Sequence, residues 1–186
     1  MMLTMLNRFD QTWFLILNQF HHPVMDIIFL LVTNSFFWTP LYIWLIFFIK
    51  KRLGWDAVLL FIFTIVISDQ SSATWLKPFF AKYRPCYVMP ITEIHLLGSY
   101  KGIYGFPSSH ASNTYAFAML FWRTFKTIYR FSWLFFIWAT IVSYGRIYGG
   151  VHYPSDILFG AMVGCAIGWW VHRFYETRNR SCKDKT

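Results

Sequence analysis

The chain has few charged residues. Asp, Glu, Lys and Arg make up 13% of its 186 residues, about half the share found in an ordinary soluble domain. Long apolar runs separate these charges, and aromatic residues, 23% of the chain, are scattered near the ends of the runs. A soluble helical core rarely leaves so little polar surface. The composition therefore predicts an integral membrane protein with aromatic belts.

Cysteine is also scarce. Cys86, Cys165 and Cys182 lie far apart without a C-x-x-C spacing, which indicates neither a disulfide framework nor a zinc site. The formal net charge is +9, but the cations lie mostly in short connections between apolar runs. The positive-inside rule explains that placement better than a nucleic-acid partner does. We expect no metal, no other cofactor, no nucleic acid and no obligate protein partner.

The hydrophobic pattern predicts an all-α, polytopic membrane helix bundle that forms a single domain over residues 1–186. Apolar residues at helical spacing between 4 and 20 predict an N-terminal amphipathic helix at the membrane interface or against the bundle. Residues 23–49 are broken near 33–35 and at Pro40, which suggests a short helix and one span. Further spans are expected at 55–76, 110–127, 132–150 and 153–175, for a total of five or six, followed by a disordered basic tail at 177–186.

The distribution of cations predicts the orientation. Three basic groups lie on one side of the predicted membrane, two crossings apart, and the positive-inside rule makes that side cytoplasmic: Lys50 to Arg52, Arg123 to Arg130, and the C-terminal tail. The long connection at 77–109 and the turn "GRIYGGVHYP" then lie on the opposite face. In a bacterial inner membrane this is the periplasmic face. The side of the N-terminus depends on whether the first 49 residues cross once or twice.

That outer face nevertheless collects cations. Lys77, Lys82 and Arg84 lie in "KPFFAKYRP", and Arg146 lies in the last turn, near the ends of predicted spans. Fixed positive charge on the wrong side of a membrane points to an anionic ligand. Two arginines and a lysine suit a tetrahedral oxyanion. The sequence "PSSH" adds Ser108, Ser109 and backbone N–H groups at a helix start, where anions bind favourably.

Two histidines and an aspartate complete a candidate phosphoryl-transfer site. His152 is the candidate nucleophile, Asp156 could hold its other ring nitrogen as N–H, and His110 could protonate the leaving oxygen. Each has a simpler interpretation: His152 and Asp156 as a polar pair at a helix start, His110 as an interfacial residue, Lys77 and Arg84 as lipid-headgroup ligands. Their convergence on one face favours the catalytic interpretation. Asp69, inside a span, is a candidate supporting residue that could pair with a cation of this face.

In this order, these residues resemble the type 2 phosphatidic acid phosphatase superfamily of membrane lipid phosphatases. Its pattern is K-x6-R-P, then P-S-G-H, then S-R-x5-H-x3-D. Here the three parts read "KPFFAKYRP", "PSSH" and "GRIYGGVHYPSD", with Ser109 in the glycine position and Gly145 in the serine position. The match covers roughly residues 56–170. Both internal spacings are kept, which makes the match highly specific.

The resemblance implies metal-independent hydrolysis through a phosphohistidine at the outer leaflet. By position, His152 is the nucleophile, Asp156 orients it and His110 is the general acid. The phosphate ligands are Lys77, Arg84, Arg146, Ser108 and the backbone near Ser109. Neither departure touches these acid, base or cation positions, so we expect activity to survive them.

The sequence leaves the substrate open. The small size and outward-facing site are similar to those of bacterial members of the superfamily that remove phosphate from undecaprenyl diphosphate, and this resemblance makes that lipid, in a bacterial inner membrane, the favoured substrate. The alternatives are lipid A, and phosphatidylglycerophosphate or phosphatidate, with headgroup choice in the loop 86–106. A non-enzymatic lipid-phosphate binding or transport protein is a further possibility. It would need the cations but not both histidines and Asp156.

Overall fold

The computed structural model describes residues 2–98 and 102–183. In that part of the chain the regular structure is helical, which agrees with the all-α prediction. A 3-10 turn at Ser35–Trp38 follows α2, and a π turn at Ser71–Leu76 joins α4 to α5. The helices are α1 (Met2–Asn18), α2 (Pro23–Thr33), α3 (Thr39–Leu53), α4 (Trp55–Gln70), α5 (Lys77–Phe80), α6 (Pro85–Val88), α7 (Ser109–Phe125), α8 (Leu134–Tyr148) and α9 (Pro154–Lys183).

The predicted break in residues 23–49 is present. α2 ends at Thr33, and the Asn34 side chain then accepts a hydrogen bond from the backbone N–H of Phe36 at 2.9 Å. This Asn cap favours the 3-10 turn over continued helix. α3 starts at Thr39 with Pro40 in its first turn, where a proline is tolerated because its missing N–H would have had no helical partner.

The last helix extends into the stretch 177–186 that the sequence predicts as a disordered tail. α9 continues to Lys183, and residues 184–186 lie outside the described part. The sequence after Gly168 contains neither glycine nor proline. Extending an existing helix costs far less than starting one, because each added residue gains a hydrogen bond.

Two helical stretches of the described chain are long and apolar enough to cross a membrane, Trp55–Phe80 and Pro154–Arg178. Asn7–Asn18 with Pro23–Thr33 would make a third if that pair, bent by 116°, counts as one span. α8 is apolar but shorter. The chain is therefore an integral membrane protein, and five or six crossings remain a prediction.

The central contact is the α7–α9 pair. Gly160, Gly164 and Gly168 form a stripe at intervals of four residues along α9, and α7 packs directly on it. A Cβ atom at Gly164 would lie 2.2 Å from the carbonyl oxygen of Ser112. Small residues at this spacing let two membrane helices approach closely. The stripe thereby fixes the first turn of α7 beside the first turn of α9.

α1 packs on α8 and α9, but the face that it buries is not its apolar stripe. Asp10, Phe14 and Asn18, spaced four residues apart, are buried, whereas Phe9 and Trp13 are exposed. Phe9 and Trp13 belong to the apolar stripe that the sequence analysis assigned to the interface or the bundle. An outward apolar face suits lipid contact, and the buried polar side chains need partners inside the protein.

Candidate active site

The end of α8, the start of α9 and the start of α7 meet at one end of the bundle. The backbone N–H of Ser108 donates to the carbonyl oxygen of Asp156 at 3.0 Å, which holds "PSSH" against α9. The K-x6-R-P segment joins them through the connection 102–105: Arg84 N–H donates to Ile103 O at 3.1 Å and Gly105 N–H donates to Lys82 O at 2.8 Å. All three motif segments therefore reach one site.

His152 lies in the short connection between α8 and α9 and is 1% exposed. Its Nε2 is 2.9 Å from Arg84 Nη1, and its Nδ1 is 3.3 Å from Asp156 Oδ2. A guanidinium can only donate, so Nε2 must be the acceptor and the ring proton must be on Nδ1, facing the carboxylate. Burial, together with the charges of Arg84 and Arg146, places the pKa of His152 well below its usual range. The imidazole is therefore neutral, with its lone pair directed toward the cations.

Asp156 serves both the helix and the imidazole. Its Oδ2 accepts the backbone N–H of Tyr153 at 2.9 Å, with Pro154 at the first position of α9. An acid at the third helical position that reaches back to the N-cap N–H is half of a capping box. The same oxygen faces His152 Nδ1, and Oδ1 accepts from Lys82 Nζ at 2.9 Å. In this one conformation Asp156 therefore both caps the start of α9 and orients His152, so the two interpretations of the pair do not exclude each other.

Gly105 leaves room for this arrangement. A Cβ atom there would lie 3.0 Å from Asp156 Oδ2, 3.2 Å from Arg84 Cγ and 3.5 Å from His152 Nδ1. Any side chain would press on the carboxylate and on the arginine that flank the imidazole. Glycine at this position is therefore part of the site.

Arg84 is held rigidly. It is 4% exposed, its Nε donates to Gly102 O at 2.9 Å, and its Nη1 donates to Val151 O at 3.1 Å as well as to His152. These bonds fix the plane of the guanidinium beside the imidazole.

Several buried polar atoms near this arginine have no hydrogen-bond partner within the described residues. They are Ser108 Oγ and Ser109 Oγ at the start of α7, and Arg146 Nε in the last turn of α8. Unpaired buried polar groups are rare in proteins because they cost free energy. The two serines lie at a helix N-terminus and Arg146 supplies a cation, an arrangement that suits an oxyanion as the missing acceptor.

The remaining predicted site residues lie around this centre. Lys77 follows the π turn directly and begins α5; π turns occur often at functional sites. His110 is the second residue of α7 and is half-buried. Lys77, Arg84, Arg146 and His152 all lie close enough to His110 to act on its charge.

Asp69, predicted as a supporting residue, has an amide as its hydrogen-bond partner. Its Oδ1 accepts from the amide of Asn113 at 3.0 Å, and the ion pairs found among the described residues do not include it. Asn113 is one turn after His110 on α7, and the buried Ser68 and Ser112 hydroxyls are 2.7 Å apart beside it. Asp69 thus ties α4 to the first turns of α7, and it also lies close enough to Lys77 to act on the charge of that cation.

Two charged residues of the site were not among the predicted site residues. Lys82 was noted only as one of several cations, since it lies outside the family spacing. Asp10 was not noted at all, although its four-residue spacing from Phe14 and Asn18 marks a buried helix face that includes an acid. Asp10 forms an ion pair with Lys82 and therefore reaches the site from α1.

The histidines outside the motifs have structural contacts. His95 Nε2 is 2.9 Å from Asp26 Oδ1, and its ring stacks on His21 with centroids 4.2 Å apart. Asn18 donates to the carbonyls of His95, Ile147 and Tyr148 at 2.8–3.1 Å. These contacts join α1 and α2 to the long connection and to the end of α8. Within the described residues, no group of three or more His, Cys, Asp and Glu side chains could hold a metal.

The sequence profile of the PAP2 superfamily matches residues 54–180. A lipid A 4'-phosphatase from Porphyromonas gingivalis is 31% identical over 172 residues, 89% of this chain and 72% of the relative. One from Bacteroides thetaiotaomicron is 30% identical over 178 residues, 90% of this chain and 77% of the relative. An undecaprenyl-diphosphatase from Sulfolobus acidocaldarius is 31% identical over 140 residues, 73% of this chain and 62% of the relative.

Two solved structures are similar over most of their length. LpxE from Aquifex aeolicus superposes with a TM-score of 0.70 at 25% identity and covers 88% of this chain and 94% of its own. A PAP2-type phosphatidylglycerolphosphate phosphatase from Bacillus subtilis gives a TM-score of 0.72 at 20% identity, with coverage of 92% and 87%. The second similarity concerns the fold alone.

Proposed function

The chain belongs to the PAP2 superfamily, and from that premise we propose that it removes a phosphate group from lipid A. Its relatives are lipid phosphatases, so the chain is a phosphate monoester hydrolase that acts on lipid phosphates. The lipid A assignment is supported by two relatives with that activity, each aligned over about nine-tenths of the chain. Undecaprenyl diphosphate, the substrate that the sequence analysis favoured, becomes the second candidate because its relative aligns over a smaller share.

We propose a phosphohistidine mechanism, and the observation that carries it is the neutral His152 between Asp156 and the cations. When phosphate binds, Arg84 turns its Nη1 donor from Nε2 to a phosphate oxygen, which frees the lone pair. Nε2 then forms a bond to phosphorus, and the bond from phosphorus to the lipid oxygen breaks. Asp156 stabilises the imidazolium that develops.

His110 handles the proton in both halves of the reaction. In the first it donates a proton to the leaving lipid oxygen. In the second it accepts a proton from the water that attacks phosphorus, and the P–N bond breaks to release orthophosphate and neutral His152. Lys77, Arg84, Arg146, Ser108 and Ser109 bind the phosphate oxygens and stabilise the negative charge that is spread over them in the transition state.

We assign headgroup recognition to the surface between α1 and the loop 86–106, of which residues 99–101 lie outside the described part. An open groove there is lined by polar and apolar side chains, among them Arg8, Gln11, Thr12, Val88 and Glu93. Amide, hydroxyl and charged groups of this kind suit the hydroxyl-rich sugar of a glycolipid. The cation asymmetry supports a site on the periplasmic face of a bacterial inner membrane, with a cytoplasmic C-terminus.

The test is phosphate release by the purified protein in detergent. The substrates are lipid A, undecaprenyl diphosphate, phosphatidylglycerophosphate and phosphatidate, each with wild type and His152→Ala. We expect release from lipid A, reduced about 1,000-fold or more in the variant, with inhibition by vanadate and little effect of a chelator. Equal release by both proteins, or no release from any lipid, would instead support a binding or transport protein. Mass spectrometry of the product identifies which phosphate is removed.

A further inference from the structure

Lys82 has all three of its ammonium donors occupied by protein oxygens. Nζ donates to Asp156 Oδ1 at 2.9 Å, to Ser155 Oγ at 2.8 Å and to Asp10 Oδ2. Its ammonium group also lies over the Tyr153 ring, 4.6 Å from the centroid. A lysine has three N–H donors and no acceptor, so none remains for a phosphate. Lys82 therefore differs from the other cations of the site.

Asp10 closes this arrangement from α1. It is 4% exposed, its Oδ1 accepts the backbone N–H of Ser155 at 3.0 Å, and its Oδ2 accepts the Ser155 hydroxyl at 2.5 Å as well as Lys82. Both carboxylate oxygens of Asp10 are thus used to hold Lys82 and the first turn of α9. Asp156, one residue further, is 0% exposed.

We propose that Asp10 and Lys82 are positioning residues of the active site, which fix the carboxylate of Asp156 and through it the ring of His152. This inference rests on the proposed function. Lys82 binds the Asp156 oxygen that does not cap α9, so the carboxylate cannot rotate away from Nδ1. Asp10 keeps Lys82 in place and offsets its charge. The N-terminal helix, which precedes the family match at residues 54–180, thereby completes the catalytic machinery.

The electrostatics give this role a signature that simple anchoring of α1 would lack. The Lys82 charge is one of the causes that lower the pKa of His152. Its removal should raise that pKa, and removal of the Asp10 charge should lower it. The other charged or titratable groups around the imidazole are not substituted in any of these variants. They are Lys77, Arg84, His110, Arg146 and Asp156.

The variants are Asp10→Asn, Lys82→Met and the double variant. Asp26→Asn is the matched control, because Asp26 also joins the N-terminal segment to the bundle, through His95 and Tyr148, without contact to Lys82. We expect kcat to fall about 10- to 100-fold in Lys82→Met and Asp10→Asn, the size of loss typical when a partner behind a directly acting group is removed. KM and vanadate inhibition should change little, since the phosphate ligands are intact. The double variant should be no worse than Lys82→Met alone, because the two residues act in series.

Imidazole NMR of histidine-labelled protein, with His152 assigned by its loss in His152→Asn, measures the pKa of His152 without turnover. We expect it higher in Lys82→Met, lower in Asp10→Asn and unchanged in Asp26→Asn. Unchanged kcat and unchanged pKa in both test variants would overturn the inference. So would a loss of kcat in the test variants that is no larger than the loss in Asp26→Asn at a similar fall in Tm. A wild type that releases no phosphate would refute the proposed function instead, and the NMR shifts would still decide the positioning role.

Discussion

At the scale of single residues, the site is defined by groups that contact both the surrounding structure and the candidate nucleophile. Asp156 caps α9 and faces His152; Arg84 fixes the connection 102–105 and donates to the same imidazole. Because each side chain is held by a structural bond, the geometry of Asp156 and His152 exists before any substrate binds, and only the Nη1 donor of Arg84 has to turn from Nε2 to the phosphate. Such preorganisation avoids the cost of ordering the groups during the reaction.

The burial of neutral His152 predicts a pH dependence of stability. Its pKa is lowered in the folded protein, whereas an unfolded histidine titrates near 6.5. The unfolded state therefore binds more protons below about pH 6.5, and stability falls as the pH falls through that value. We expect Tm to fall between pH 7.5 and pH 5.5, and to fall less in His152→Asn, which cannot take up this proton. Equal changes in both proteins would contradict the prediction.

Gly105→Ala should reduce activity more than stability. The new methyl group would press on Asp156 Oδ2 and Arg84 Cγ, whereas the backbone at Gly105 is not among those with positive φ and accepts alanine. We expect kcat to fall about tenfold to a hundredfold, as for small displacements of reacting groups, with Tm nearly unchanged. Wild-type kcat in this variant would show that the site can relax around the methyl group.

These residues also show how far the sequence predicts the site. His110, His152, Asp156 and the three cations were predictable because their chemistry is unusual at a membrane and because their spacing is local. Asp10, Lys82 and Gly105 were not, because their roles depend on contacts between segments far apart in the chain. Asp69 was predicted as a supporting residue, but its partner Asn113 could not be identified from spacing alone.

At the scale of helices, close packing explains a departure from the family pattern. Gly145 occupies the position where the pattern has serine, and α2 packs directly on it: a Cβ atom there would lie 2.6 Å from Thr33 Cγ2 and 3.0 Å from Phe29 Cδ1. The glycine is therefore required by the contact between α2 and α8. The positions of α4, α7 and α8 and the start of α9 were predictable from apolar runs, whereas this contact and the end of α9 were not.

Gly145→Ser, which restores the family residue, should therefore destabilise this protein. Overpacking of this kind typically costs about 1–3 kcal/mol, and we expect a lower Tm with no gain in kcat. Thr33→Ala removes the nearest atom, so Gly145→Ser/Thr33→Ala should recover much of the loss while Thr33→Ala alone changes little. A Tm at or above that of wild type in Gly145→Ser would contradict the steric explanation.

At the scale of the whole molecule, contacts along α8 trace the path of the N-terminal third. His22 N–H donates to the Tyr148 hydroxyl at the site end of α8. Trp38 lies against Trp138 with ring centroids 5.6 Å apart, and Arg52 lies over the Tyr129 ring before α8 begins. α2 and the 3-10 turn thus run beside α8, and α3 continues toward the other end of the bundle, where it packs on α4. α1 stays at the site end, where Asp10 and Asn18 have their partners.

This path predicts five crossings, with the N-terminus on the same side as the active site. α2 has 11 residues, about 16 Å of helix at 1.5 Å per residue, which is too short to cross a hydrocarbon core of about 30 Å by itself. The test uses a cysteine-free protein in spheroplasts, with single cysteines at Arg8, Glu93, Lys51 or Lys126 and a membrane-impermeant maleimide. We expect labelling at positions 8 and 93 in intact spheroplasts, and at 51 and 126 only after lysis. Labelling of position 8 only after lysis would instead mean six crossings, and would place α1 across the membrane from the groups that Asp10 contacts.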